Sequence, residues 1–266
     1  MRLTGMVVAV LIGAVNAASS QVVFVNPDGP TLYAYCQQFQ TLYIEIRQQS
    51  VLPDSARARF SQVMAGLQRR FQIAPAYARP RPDSLAQTTT QPTENSPFMF
   101  PLRGYGPSAI GGSHGEGYRG SGFDLFDYAV RGSHPAQDIF IEDRNQDDLE
   151  DASGEPVAVL AMSSGLVLAI ETGWQPGSEY RGGNWIWVYD PARNGLFYYA
   201  HNRAVFVTPG QWVASGERIA EVGRTGYNAF AKRSPTHLHL MYLQVRADGL
   251  PEPTNPYQWL LGAKRL

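Results

Sequence analysis

Thr236-His237-Leu238-His239-Leu240 decides the reading of this 266-residue chain. On a β-strand, side chains alternate between faces with period two. His237 and His239 therefore share one face, and Leu238 and Leu240 point into a core behind them. Two imidazoles side by side on an open face are poor packing material. They suit a metal site, because neutral imidazole is the commonest metal ligand and a second histidine can handle protons beside it.

The chain holds five histidines, and four of them fall in three short motifs. The first motif is His134-Pro135-Ala136-Gln137-Asp138, a His and an Asp four residues apart. Tyr199-Ala200-His201 follows, and His237 with His239 completes the set. Catalytic Zn²⁺ takes three protein ligands from His, Asp and Glu and keeps a fourth position open. His134, Asp138 and one of the paired histidines supply that set, and the remaining histidines are left for proton transfer. The fifth, His114, lies in a glycine-rich stretch between Gly104 and Gly122 that reads as a long loop beside a site.

The surroundings of these motifs are β-rich. Segments 157–160, 166–171, 185–189, 196–200, 219–222 and 237–245 alternate or are rich in strand-forming residues. Turn residues separate them, as at Gly182-Gly183-Asn184 and Pro209-Gly210. The spacing predicts a mainly β domain with an antiparallel sheet or sandwich and no βαβ rhythm. Trp174, Tyr180, Trp185, Trp187, Tyr198 and Tyr227 either pack the sheet or line a substrate groove. Asn184, Arg224 and Tyr198 are the candidate substrate contacts.

Four regions precede or make up this domain. Residues 1–17 have a positive start at Arg2, a short apolar run and a small-x-small ending at Val15-Asn16-Ala17, the pattern of a secretory signal peptide. The apolar run is too short to span a bilayer comfortably, which predicts an exported protein, periplasmic or secreted, with no stable membrane anchor after cleavage. Residues 18–75 carry apolar residues at spacings of three and four, predicting a helical hairpin with Asp54 or Ser55 capping its second helix. Arg57, Arg59, Arg69 and Arg70 fall on its polar side. The hairpin fits a pro-segment, an inhibitory arm or a docking module equally. Residues 76–96 form a Pro-rich linker, and 97–266 the β domain. A formal net charge of −1 gives bulk electrostatics no reason to favour nucleic acid as a partner. The sole cysteine, Cys36, lies on the apolar helical stripe and reads as a small buried hydrophobe rather than a reactive thiol.

From about residue 98 to 262 the motifs, in this order, resemble the lysostaphin/LytM-type zinc metalloendopeptidases that cleave peptidoglycan peptides. The turns Ser164-Gly165-Leu166-Val167, Gly183-Asn184 and Val222-Gly223-Arg224-Thr225-Gly226 also resemble that family. The resemblance implies one catalytic Zn²⁺ held by His134, Asp138 and His239, with His201 and His237 as the catalytic pair, and peptidoglycan peptides as the substrate. A histidine then takes the proton of the attacking water, since no H-E-x-x-H glutamate is present. The alternative is a non-catalytic relative that binds the wall or activates another hydrolase. Protein partners are not legible in the sequence. Two departures stand out. Ala136 replaces the glycine usual two residues after the first His. The 141–153 stretch is long and acidic, and its 143–151 portion resembles an incomplete calcium loop, which makes a second, structural cation the alternative to a solvated loop.

Overall fold

The computed structural model describes residues 30–71, 96–128, 132–231 and 234–266. The expected signal peptide, 1–17, and nearly all of the expected linker, 76–96, lie outside them.

Two helices come first, α1 (Leu32–Arg47) and α2 (Pro53–Arg70). Thr31 caps α1, its Oγ1 accepting the Ala34 N–H at 3.1 Å. At α2 the expected cap is corrected. Pro53, whose fixed φ suits the first helical turn, starts the helix after Leu52, and Asp54 lies inside the first turn. Arg70 departs from the predicted solvated face: it is buried, and its Nε donates to the Pro30 carbonyl at 3.0 Å. No helix among the described residues is long and apolar enough to cross a membrane.

The rest is strand-rich and antiparallel. The strands are β1 (Ala136–Phe140), β2 (Ala158–Leu160), β3 (Gly165–Glu171), β4 (Asn184–Asp190), β5 (Gly195–Val205), β6 (Trp212–Val213), β7 (Arg218–Val222), β8 (His237–Val245) and β9 (Pro251–Thr254). Short helices α3 (Tyr227–Phe230) and α4 (Tyr257–Leu261) flank β8 and β9. The central order is β1-β8-β5-β4-β3-β6, with β9 beside β8 and β2 paired to β7. The long strand β5 lies against β8 as far as Ala200, then runs beside β7 from Asn202 to Val205. His201 marks the change of neighbour, with φ at +67°. Histidine is among the few non-glycine residues enriched in that left-handed region.

Alternation along the strands sorts side chains onto two faces. Ile139, Ile186, Val188, Phe197, Tyr199, Leu238, Leu240 and Tyr242 share one core. Trp185, Trp187, Tyr189, Leu196, Tyr198, Met241 and Leu243 share the other with α1 and α2. Tyr43 stands edge-on to Trp185 and Trp187, with ring centroids 4.8 and 5.3 Å apart. The hairpin is thus packed onto the sheet as part of its core. Arg47 is buried against this seam, its guanidinium 4.3 Å from the Tyr180 ring centroid and 3.2 Å from Glu171.

Candidate active site

The register of three neighbouring strands builds the site. Asp138 on β1 sits directly across from His239 on β8, and Ala200 flanks His239 on the other side. His237 lies two residues back on the same face, opposite Phe140. Leu238 and Leu240 are fully buried behind them. His201 follows Ala200 at the bend of β5, and its ring centroid comes within 4.9 Å of that of His237. His134 reaches the cluster from just before β1. Its backbone N–H and carbonyl exchange hydrogen bonds with Arg119 at 2.7 and 2.6 Å.

His134, Asp138 and His239 each offer one ligand atom, all within 4.8 Å of one another. His134 Nε2 is 3.2 Å from one Asp138 oxygen, and His239 Nδ1 is 3.1 Å from the other. Two ligands on a tetrahedral zinc at bond lengths of about 2.0–2.1 Å lie roughly 3.3 Å apart. The donor set of two nitrogens and a carboxylate therefore fits Zn²⁺ in chemistry and in spacing. His134 Nδ1 is 2.8 Å from the Gly117 carbonyl. A donated Nδ1–H there leaves the Nε2 lone pair for the metal, the outer hydrogen bond that metal-binding histidines usually make. Burial pushes the Asp138 carboxyl upward, but hydrogen bonds from His134 and His239 outweigh it and hold the group well below the usual carboxylate range. This is the one metal-type cluster found among the described residues.

His201 and His237 are fixed in the same way as each other. His201 Nδ1 lies 2.8 Å from the Thr225 carbonyl, and His237 Nδ1 lies 2.7 Å from the Pro235 carbonyl. Both carbonyls require an Nδ1–H, so each ring keeps a bare Nε2. His237 Nε2 is 3.7 Å from Asp138. Burial, with the neighbouring His237 and His239 adding to it, pushes His201 well below the ordinary imidazole value. Burial also lowers His237, more than Asp138 raises it. Both shifts favour the neutral ring, whose bare Nε2 can accept a proton.

Thr225 anchors this arrangement. Its Oγ1 accepts the Asn184 N–H at 2.9 Å and donates to the Asn202 carbonyl at 2.8 Å, while its own carbonyl takes the His201 proton. Gly226, at φ +106°, leaves no room for a side chain: a Cβ there would lie 2.1 Å from the Arg181 carbonyl and 2.9 Å from His201 Nδ1. Neither role is legible in the sequence beyond the family-like turn Val222–Gly226.

A cleft of about 450 Å³ opens over the cluster. His134, Asp138, His201, His237 and His239 all line it, as do Tyr198, Tyr128 and Arg119. Of the three candidate substrate contacts, Tyr198 reaches the cleft, and Asn184 and Arg224 are not among its lining residues. Asn184 is buried, its Oδ1 accepting the Trp174 N–H. Arg224 is buried too, donating to Thr236 Oγ1 at 2.8 Å and to the Ala229 carbonyl at 2.7 Å. Both brace the turn and strand start that carry the histidines. Trp185 and Trp187 are covered by Tyr43, and His114 is exposed outside the cleft. In the acidic loop, Asp143 accepts from the backbone N–H groups of Asp147 and Asp148 and from Thr236 Oγ1. Those protein donors engage both Asp143 carboxylate oxygens.

Residues 147–253 match the family model described as Peptidase family M23. The matched stretch contains His201, His237 and His239 and starts after His134 and Asp138. Among solved structures, lysostaphin from Staphylococcus simulans, an antimicrobial peptidase, is 25% identical over 54% of this chain, with a TM-score of 0.35. The alignment spans about half of that protein, 48% of its chain. Its catalytic domain alone is 24% identical over 57% of this chain and 90% of its own, with a TM-score of 0.37. A LytM-type protein from Ruminococcus gnavus is 20% identical over 88% of this chain and 96% of its own, with a TM-score of 0.44. No curated protein sequence matches the chain.

Proposed function

We propose that the protein is an exported zinc metalloendopeptidase of the lysostaphin/LytM type, hydrolysing peptide bonds in bacterial peptidoglycan; the match of residues 147–253 to Peptidase family M23 supports this reading. The observation that carries this reading is the grouping of His134, Asp138 and His239 beside two histidines with bare Nε2 atoms.

His134 Nε2, an Asp138 oxygen and His239 Nδ1 are the atoms that would hold Zn²⁺. A zinc ion there supplies Lewis-acid chemistry, acidifying a water and polarising the scissile carbonyl. The chain's own residues handle the protons. Nε2 of His201 or His237 accepts the proton from the attacking water, and the imidazolium so formed delivers it to the leaving nitrogen as the C–N bond breaks. The Thr225 and Pro235 carbonyls hold both rings in the tautomer this transfer needs. Tyr198 on the cleft floor supplies an apolar ring surface for the substrate backbone to lie against.

The test uses the full chain, assayed for zinc content and for release of soluble fragments from purified peptidoglycan. About one zinc per chain and cleavage at peptide bonds is the expected result. Stoichiometric zinc without cleavage of wall material would favour the non-catalytic relative. Cleavage of unfolded proteins alone would place the substrate outside the wall.

A further inference from the structure

Alternation along β8 puts Met241, Leu243 and Val245 on the same face as His237 and His239, and those three residues pack in one core with α1 and α2. The hairpin therefore sits on the catalytic face of the sheet, immediately beyond the histidines. Tyr43 of α1 reaches the cleft and lines it together with Tyr198. The facing side is the segment 119–128. Arg119, Phe123, Asp124, Leu125, Asp127 and Tyr128 of that segment all line the cleft.

Three contacts tie this segment to α2. Arg57 forms an ion pair with Asp124, and its guanidinium stands 5.2 Å from the Phe126 ring centroid. Phe60 meets Phe126 edge-on at 5.5 Å. Leu125 and Phe126 are buried in the same core as the hairpin. Asp124 also accepts the Phe126 N–H at 3.0 Å through its other oxygen, which shapes the turn that presents both side chains. At its start the segment is bonded to the ligand His134 through Arg119.

We infer that the N-terminal hairpin is a working part of the cleft: Arg57 and Phe60 hold segment 119–128 as its wall, and Tyr43 forms part of its floor. Resting on the peptidase reading, this assigns the hairpin to substrate binding rather than to a removable pro-segment. Arg57 acts through Asp124 and is a positioning residue. The cleft's apolar side is built from Tyr43, Phe123, Leu125, Tyr198 and Met241. Substrate affinity therefore depends on how firmly the wall is held, while proton transfer at His201 and His237 does not.

The experiment compares the full chain with Arg57→Ala, Asp124→Asn and the double variant. Arg57 is partly exposed, so the fold tolerates its truncation, and a melting curve checks this. Asp124→Asn keeps an oxygen for the turn and loses the charge. Hydrogen exchange of the 119–128 amides should rise roughly fivefold in either single variant, with the double variant no worse, which corresponds to about 1 kcal/mol. With soluble cross-linked muropeptides, KM should rise roughly fivefold while kcat stays within about twofold and zinc content is unchanged. A merely structural contact would leave KM unmoved. Unchanged exchange overturns the clamp. Raised exchange with unchanged KM overturns the role in binding. If the unaltered chain cleaves no muropeptide, the peptidase reading falls, and the exchange measurement still decides whether the hairpin holds the segment.

Discussion

Replacing Phe39 by Ala tests whether hairpin and sheet form one cooperative unit. Phe39 is 2% exposed, and its ring lies 6.0 Å from Trp187 on β4 and 6.1 Å from Phe60 on α2. Truncating a fully buried phenylalanine costs about 3–5 kcal/mol, combining lost transfer energy with the cavity left behind. For a chain of this size each kcal/mol lowers the melting temperature by about 2–4 °C, so the shift should be roughly 6–20 °C. Leu52→Ala is the matched control. Leu52 is 76% exposed, so its loss should cost no more than about 0.5 kcal/mol, or about 2 °C. The assay is differential scanning calorimetry of the full chain. A single transition, displaced as a whole by Phe39→Ala and left in place by Leu52→Ala, is expected. Two separated transitions with only the lower one displaced, or a single one shifted by less than about 3 °C, would mean that the hairpin melts without the sheet.

Other expectations bear on the site. Asp138→Asn should abolish stoichiometric zinc binding, a loss beyond the roughly 10–100-fold that removing an outer hydrogen-bond partner produces; metal analysis after dialysis reads this directly. His201→Ala should retain zinc and lower kcat by about 10²–10⁴-fold, the range ascribed to a positioned general base; metal loss in this variant would move His201 into the ligand set. Cys36 is buried, and burial pushes its thiol up to about 11. Iodoacetamide at pH 8 should therefore leave the folded chain unmodified and add one label per molecule only after denaturation, as intact mass would report.

The H-x-H pair was readable because a strand's period is fixed, so the facing of His237 and His239 and the burial of Leu238 and Leu240 needed no tertiary information. Placing Asp138 opposite His239 depends on the β1–β8 register, which no local pattern encodes and which the reading reached only through resemblance. Asn184 and Arg224 show the opposite limit. Asn184 opens β4 and Arg224 follows β7, both close to the histidine-bearing segments, yet their side chains turn inward to bond Trp174, Thr236 and Ala229. Nearness along the chain fixes where a backbone goes and says little about which way a side chain points. The six aromatic residues were ambiguous for a related reason. Alternation gave Trp185 and Trp187 a face, but only the packing of α1 decided whether that face was a groove or a core. The buried Arg47 and Arg70 were illegible because a helical wheel assigns arginine to the solvent side.

One sheet face thus carries both the reactive cluster and the core that seats the hairpin, and the two uses depend on each other. The proposed proton acceptor is a neutral imidazole, and burial favours the neutral form of His201 and His237. Burial on an otherwise open sheet requires something to cover the neighbouring residues. The hairpin supplies that cover beyond Met241, and segment 119–128 supplies it across the cleft. A ring buried this way must also be held in one tautomer, since a proton on Nε2 instead of Nδ1 would remove the free lone pair. The Thr225 and Pro235 carbonyls do that from two different turns. The left-handed φ of His201 is where β5 gives up its pairing with β8, and it swings the ring toward His237. Strain of about 1–3 kcal/mol at such a residue persists only where the surroundings over-determine it. Here the Gly182 carbonyl accepts the His201 backbone N–H at 3.0 Å, and Thr225 holds the ring. The same contacts that keep the backbone in that conformation therefore also aim the His201 ring.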